Sequence, residues 1–136
     1  MLTYRYDHLH FVSLDPVKTA LFYETMFGAE RIAVRELGSG RISAEVDLNG
    51  LRLKISSPSA RPESVPSVSA GDTPDRLGIR TNHFGIRTNN IEAAVAELKA
   101  KGAQFTSEIR QQATGEKVAL LLAPENVLVE LVERSD

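Results

Sequence analysis

The sequence predicts an α+β fold built from two tandem βαβββ modules that turn polar strand faces toward a cleft. Three observations predict it. The first is that the chain repeats itself. Tyr6-Asp7-His8-Leu9-His10-Phe11-Val12 leads into Asp15-Pro16 and a helical stretch ending at Phe27-Gly28. Thr81-Asn82-His83-Phe84-Gly85-Ile86-Arg87 leads into Asn90-Ile91 and a helical stretch ending at Lys101-Gly102. The second is spacing: in each copy a histidine stands seven residues before the helix N-cap. The third is that each helical stretch is followed by three runs with strand character.

The elements follow in order. A first strand covers roughly 7–14 and a helix runs from Pro16 to Phe27. Asp15 suits the N-cap, Pro16 the first helical position and Gly28 the stop. Ile32 to Glu36, Ile42 to Leu48 and Leu51 to Ser57 read as three strands, with Gly38-Ser39-Gly40 and Asn49-Gly50 as turns. Asn-Gly between two alternating runs is a strong hairpin signal. In the second copy Ile91, Ala94, Val95 and Leu98 recur at helical spacing, and Glu97 with Lys101 makes an i,i+4 pair. Strands near 103–109, 117–123 and 127–133 complete it, with Pro124-Glu125-Asn126 as a turn.

Module one is thus 1–57 and module two 79–136 of a single domain. The connector 58–78 is rich in Ser, Pro and Ala and lacks periodicity. It reads as a mobile linker or as a flap over a site.

Bulk properties narrow the function. At 136 residues the chain can bury a core without staples. A net charge of −2 argues against a nucleic-acid partner, which calls for a basic stripe. The absence of cysteine excludes disulfides and thiolate ligands. The N-terminus lacks the apolar run of a signal peptide, and no segment approaches the roughly 20 apolar residues that span a bilayer. A soluble cytoplasmic domain without a membrane partner is the expectation.

Side chains alternate along strands, so faces can be assigned. His8, His10 and Val12 share one face of the first strand, and His83, Gly85 and Arg87 share one face of its counterpart. In the hairpin, Arg52, Lys54 and Ser56 oppose Leu51, Leu53 and Ile55, and Ser43, Glu45 and Asp47 oppose Ile42, Ala44, Val46 and Leu48. One helix per module covers the apolar faces, which leaves the histidine-bearing faces for a polar site.

The last strand adds a carboxylate. Glu130 sits inside the apolar run Val127-Leu128-Val129-Glu130-Leu131-Val132, where it is costly to bury unless paired, hydrogen-bonded or bound to metal. The repeat aligns His8 with His83 at an offset of 75 residues, and Lys54 with Glu130 at 76. Two histidines and one carboxylate suit a divalent ion with open positions: Fe, Mn, Zn, Ni or Co. A divalent metal cofactor is therefore expected, with His8, His83 and Glu130 as ligands.

These residues make the chain resemble the vicinal oxygen chelate superfamily, which contains glyoxalase I, methylmalonyl-CoA epimerase, extradiol dioxygenases, fosfomycin-resistance enzymes and bleomycin-resistance proteins. The resemblance lies in Asp7-His8-Leu9, in Phe22-Tyr23 through Phe27-Gly28, in His83-Phe84-Gly85-Ile86, in the helix from Ala93 to Gly102, and in Ala123-Pro124-Glu125-Asn126 through Val129-Glu130-Leu131-Val132. It covers nearly the whole chain outside the connector. It implies a half-open β-barrel cleft with a metal held by residues equivalent to His8, His83 and Glu130. It also implies a homodimer, with the modules pairing within one chain or exchanging across the dimer.

Lys54 departs from the glyoxalase pattern, in which a Glu, Gln or His supplies a fourth ligand. A protonated lysine has donors and no acceptor, so it cannot ligate. The remaining set matches the three-ligand members. Lys54, with Arg52 and Arg87 on the same kind of face, instead suits a substrate anion, and a desolvated lysine can act as a base. His10 and Glu45 are further acid/base candidates, against plain readings as a hydrogen-bonded structural histidine and a surface carboxylate. Tyr23 reads as core or interface.

The resemblance implies a glyoxalase-like metalloenzyme that binds a small anionic oxygenated substrate through vicinal oxygens, with isomerase, epimerase or lyase chemistry through an enolate. The alternatives are an Fe(II) extradiol-type dioxygenase and a metal-free ligand-sequestering protein.

Overall fold

The computed structural model describes residues 1–3, 5–58 and 83–134, so nearly all of the connector 58–78 lies outside the described residues. Module one comprises β1 (Leu9–Val12), α1 (Pro16–Phe27), β2 (Glu30–Gly38), β3 (Arg41–Leu48) and β4 (Leu51–Ser56). Module two comprises β5 (His83–Thr88), α2 (Ile91–Ala100), β6 (Gln104–Phe105), β7 (Arg110–Gln111), β8 (Lys117–Leu122), a 3₁₀ turn at Pro124–Asn126, and β9 (Leu128–Glu133). The fold is α+β: two mixed sheets in two modules, not closed into a barrel.

The sheets share one plan. Their orders are β1-β4-β3-β2 and β5-β9-β8-β6, with β7 added against β8. In each module the strand before the helix pairs in parallel with the module's last strand. Leu9 through Val12 lie beside Leu53 through Ser56, and His83 through Thr88 beside Leu128 through Glu133. All other pairings are antiparallel.

Local chemistry sets the helix ends as expected. The Lys18 N–H donates to Asp15 Oδ1 at 3.1 Å, and Gly28 closes α1 at φ 70°, a left-handed geometry that glycine adopts without strain. The Ala93 N–H donates to Asn90 Oδ1 at 3.0 Å. Asn49 and Gly50 both take positive φ between β3 and β4, as a tight hairpin with two left-handed residues requires.

Three boundaries differ from expectation. The first strand begins only at Leu9, because its one neighbour is β4 and the ladder opens at Leu9↔Leu53; Asp7 and His8 precede it. The second strand is longer and runs from Glu30 to Gly38, with a register shift between Arg31 and Ala33. The segment expected as one strand over 103–109 breaks after Phe105. There the Leu120 N–H donates to Ser107 Oγ at 3.1 Å, so a side chain takes the place of a ladder carbonyl.

One apolar cluster spans both modules. Leu53, Ile55 and Val46 meet Tyr23 of α1, and Val129, Leu131 and Leu121 meet Ile91 and Leu98 of α2. Rings join the halves: Phe11 and Phe84 lie 5.8 Å apart, and Tyr23 stands 6.1 Å from each. A polar latch joins them too. Glu125 Oε1 accepts from the Leu14 N–H at 2.7 Å and from Ser13 Oγ at 3.0 Å. Among the described residues no helix is long and apolar enough to cross a membrane.

Candidate functional site

Because Leu9, Phe11, Leu53 and Ile55 turn into the core, their alternating neighbours emerge on the other face of the first sheet. That face carries His10 and Val12 on β1, Lys54 and Ser56 on β4, and Glu45 on β3, with His10↔Lys54 and Glu45↔Lys54 as register partners. His8 continues the row just before β1. Its Nδ1 lies 2.6 Å from Asp7 Oδ2. The Nε2 of His10 lies 2.6 Å from Ser56 Oγ. The two imidazole rings are 6.4 Å apart.

Glu45 is the buried charge of this face, only 8% exposed. It is held from two sides: Arg35 Nη1 lies 3.4 Å and Lys54 Nζ 3.9 Å from the same Oε1. Pairing is what makes burial of a carboxylate tolerable. The same contact partly neutralises Lys54. Asp7 is held below the usual carboxylate range by its hydrogen bond from His8, and then by the positive charges of His8, Lys54 and Arg52. Arg52, beside Asp47 in the ladder, is thus part of this polar face.

The second sheet repeats the plan with different chemistry. Glu130 pairs with Gly85 in the β5–β9 ladder, and its Oε2 reaches to 3.6 Å from His83 Nε2. The flanking Val129 and Leu131 are buried in the core. The predicted carboxylate therefore does meet its predicted histidine.

A donor pair of this kind fits a divalent ion. Two ligands each about 2.1 Å from one ion lie roughly 3.0–3.4 Å apart at right to tetrahedral angles, close to the spacing of His83 and Glu130. Among the described residues, however, no three His, Asp or Glu side chains cluster closely enough to hold one ion. His8 stands just before β1 of the first module, and within one chain it does not group with His83 and Glu130.

Arg87 lies two residues beyond Gly85 on β5 and lines a groove of about 460 Å³ between the modules, with Phe27, Leu51, Glu97 and Leu131. This groove reaches the helix side of the sheets, and none of the predicted ligands lines it. The structure does not gather Arg87 with Lys54 and Arg52 into one described cluster.

The family model described as Glyoxalase/Bleomycin resistance protein/Dioxygenase superfamily matches residues 5–131. The chain belongs to this superfamily. A glyoxalase family protein from Enterococcus faecalis has the same fold, with a TM-score of 0.71 at 22% identity over 95% of this chain and 97% of that one. So does a variant of the fosfomycin resistance protein FosX from Listeria monocytogenes, solved with Mn(II) and 1S,2S-dihydroxypropylphosphonic acid. Its TM-score is 0.68 at 22% identity over 98% and 93% of the two chains. TioX from Micromonospora sp. ML1 follows at a TM-score of 0.66 and 16% identity, over 95% and 99%. No curated protein sequence matches the chain.

Sequence named Asp7 and Ser56 but gave neither a role at the site, and it did not name Arg35. The Asp7-His8 adjacency was a readable signal. The partnership of Ser56 with His10 depends on the parallel β1–β4 register, and that of Arg35 with Glu45 on the irregular β2–β3 ladder. Neither carries a local sequence mark.

Proposed function

We propose that the protein is a metal-dependent enzyme of the glyoxalase superfamily, acting on a small anionic oxygenated substrate by isomerase, epimerase or lyase chemistry. Its working unit would be a homodimer in which His83 and Glu130 of one chain are completed by His8 of the partner subunit. The observation that carries this reading is the His83–Glu130 pair, 3.6 Å apart, a histidine and a carboxylate at the spacing of two ligands of one ion. His8 stands on the corresponding face of the other module, away from the shared core. Exposed apolar side chains on module one, Val12 at 47% and Val34 at 44%, are consistent with cover by a second copy.

His8, His83 and Glu130 would hold the divalent ion. The chemistry such an ion supplies is Lewis-acid polarisation of neighbouring substrate oxygens. The chain's own residues supply the rest. Lys54 Nζ and Arg52 would receive the substrate's anionic group. Glu45, oriented by Arg35 and Lys54, and His10, whose Nε2 is engaged by Ser56, are the groups placed to accept and return a proton. The Listeria relative, solved with Mn(II) and an anionic vicinal diol, supports both the metal and the substrate class. A two-histidine, one-carboxylate set equally suits Fe(II), which keeps extradiol-type oxygen chemistry as the second reading.

Complementation tests the arrangement. His8→Ala and Glu130→Ala chains are each expected to bind no metal in the site. Mixed and re-annealed, they should regain one intact site per hybrid dimer, read as bound Mn(II). A strictly in-chain site predicts no recovery. A monomer by light scattering at micromolar concentration would reject the dimer outright.

A further inference from the structure

We infer that Arg35 is a second arm of the anion-binding site on the polar face. With Lys54 it forms a clamp for one oxyanion, a carboxylate or a phosphonate, held over the buried carboxylate of Glu45. This rests on the proposed reading that the face receives an anionic substrate, and adds a specificity-determining residue to it.

The placing of Arg35 is at odds with simple alternation. Arg31 and Arg35 are four residues apart on β2, so an unbroken strand would show both on one face. They stand on opposite faces instead. Arg31 grips Glu24 of α1 on the helix side, Nε to Oε1 at 2.6 Å and Nη2 to Oε2 at 3.0 Å. Arg35 Nη1 reaches Glu45 Oε1 on the other side. The register shift between Arg31 and Ala33 makes the difference. The ladder pairs Arg31 with Val46, but Ala33 with Glu45 and Arg35 with Ser43. Carried on without the shift, it would set Arg35 against Ile42 on the apolar face. Bulges that re-aim one side chain in this way concentrate beside functional sites.

Neutralising Glu45 does not call for this device. Lys54 already stands directly opposite Glu45 in the β3–β4 ladder, and one cation matches one carboxylate. The shift brings a second. Both arms meet the same oxygen, at 3.4 Å and 3.9 Å, from the strands on either side of β3. Exposure layers the group: the Glu45 side chain is 11% exposed, Lys54 35% and Arg35 62%. The carboxylate is the floor and the two cations are the rim, so an oxyanion arriving from solvent meets both. A guanidinium has five N–H donors and an ammonium three, and contact with one oxygen of Glu45 uses few of them. Glu45 holds the arms together and tempers their pull on the anion.

The test uses the full-length, metal-free protein and two probes, inorganic phosphate and acetate, followed through the side-chain ¹⁵N signals of Arg35 and Lys54. In the wild type both signals should move together, with one dissociation constant for each probe. Arg35→Gln and Lys54→Ala should each weaken the tighter probe roughly three- to tenfold, the range for charged contacts at a partly exposed site. Arg31→Gln removes the same charge from the same strand on the opposite face and should leave binding unchanged. Glu45→Gln keeps the shape, removes the competing charge and should tighten binding. The inference is overturned if Arg35→Gln costs no more than Arg31→Gln, if the Lys54 signal moves without that of Arg35, or if the wild type binds neither probe at tens of millimolar. Protein that shows the clamp yet takes no Mn(II) would refute the proposed enzyme and leave Arg35 its role. Protein that takes Mn(II) but shows no effect of Arg35→Gln would refute the clamp alone.

Discussion

Glu130 lies beside Gly85 in the β5–β9 ladder, and its carboxylate reaches along the strand to within 3.6 Å of the His83 ring. The neighbour directly opposite has no side chain to stand between that carboxylate and the ring. On each side of Glu130 the chain is anchored by Val129 and Leu131, both in the core. The pair is thus carried by rigid strands, which is the precision a binding constellation needs.

Glu130→Gln keeps the size of the side chain and removes its charge. Metal affinity should fall by at least the roughly 10–100-fold that losing a mere outer partner costs. Thermal stability of the metal-free protein should stay the same or rise, since a half-buried charge is removed. Mn(II) titration and a melting curve measured on the same sample check both halves.

Glu125 ties the modules together from an unusual backbone position, φ 63°. Its Oε1 accepts from the Leu14 N–H and Ser13 Oγ at the entrance to α1. Glu125→Ala removes this cap and leaves the mostly buried Ser13 with Thr19 Oγ1 as its side-chain partner at 2.8 Å. A loss of about 1–2 kcal/mol is expected. It should appear as a lower urea midpoint at unchanged slope.

Tyr23 is fully buried, and among the described residues its hydroxyl has no hydrogen-bond partner. Burial pushes its phenol pKa well up. An unsatisfied buried hydroxyl costs about 1–3 kcal/mol. Tyr23→Phe keeps the ring contacts with Phe11, Phe27 and Phe84, and should raise Tm by about 2–8 °C. A fall in Tm would show that the hydroxyl has a bonding role.

What could be read from sequence follows the range of the forces involved. Asp15, Gly28, Asn90 and Asn49-Gly50 act on backbone a few residues away, and each stands where sequence places it. The His83–Glu130 meeting was legible because the repeat carries its own register. The break after Phe105 was not, since it depends on Ser107 finding the Leu120 N–H across a ladder. The early end of β1 escaped for a similar reason: the strand is only as long as its contact with β4. The partners of His10 and Glu45 are likewise chosen by register and irregular pairing, which alternation within a single strand cannot supply.

Lys54 is where the site departs most from a glyoxalase-like ligand set. Its ammonium lies 3.9 Å from Glu45 Oε1, beside His10 in the β1–β4 ladder. Glu45 also takes Arg35, so two cations share one carboxylate, with Asp7 within electrostatic reach of Lys54. In the proposed reading, the Lys54 ammonium is what a substrate anion would meet. Lys54→Ala removes one charge-assisted contact, worth about 1.5–3 kcal/mol, and kcat/KM should fall roughly 10–100-fold, mostly through KM. Lys54→Glu goes further. It sets a second carboxylate against Glu45 and supplies an oxygen donor where a fourth ligand would stand. Metal binding should tighten while turnover of the native substrate is lost. If Lys54→Ala leaves both substrate binding and turnover unchanged, the lysine serves only to neutralise Glu45, and the preference for an anionic substrate must come from elsewhere on the face.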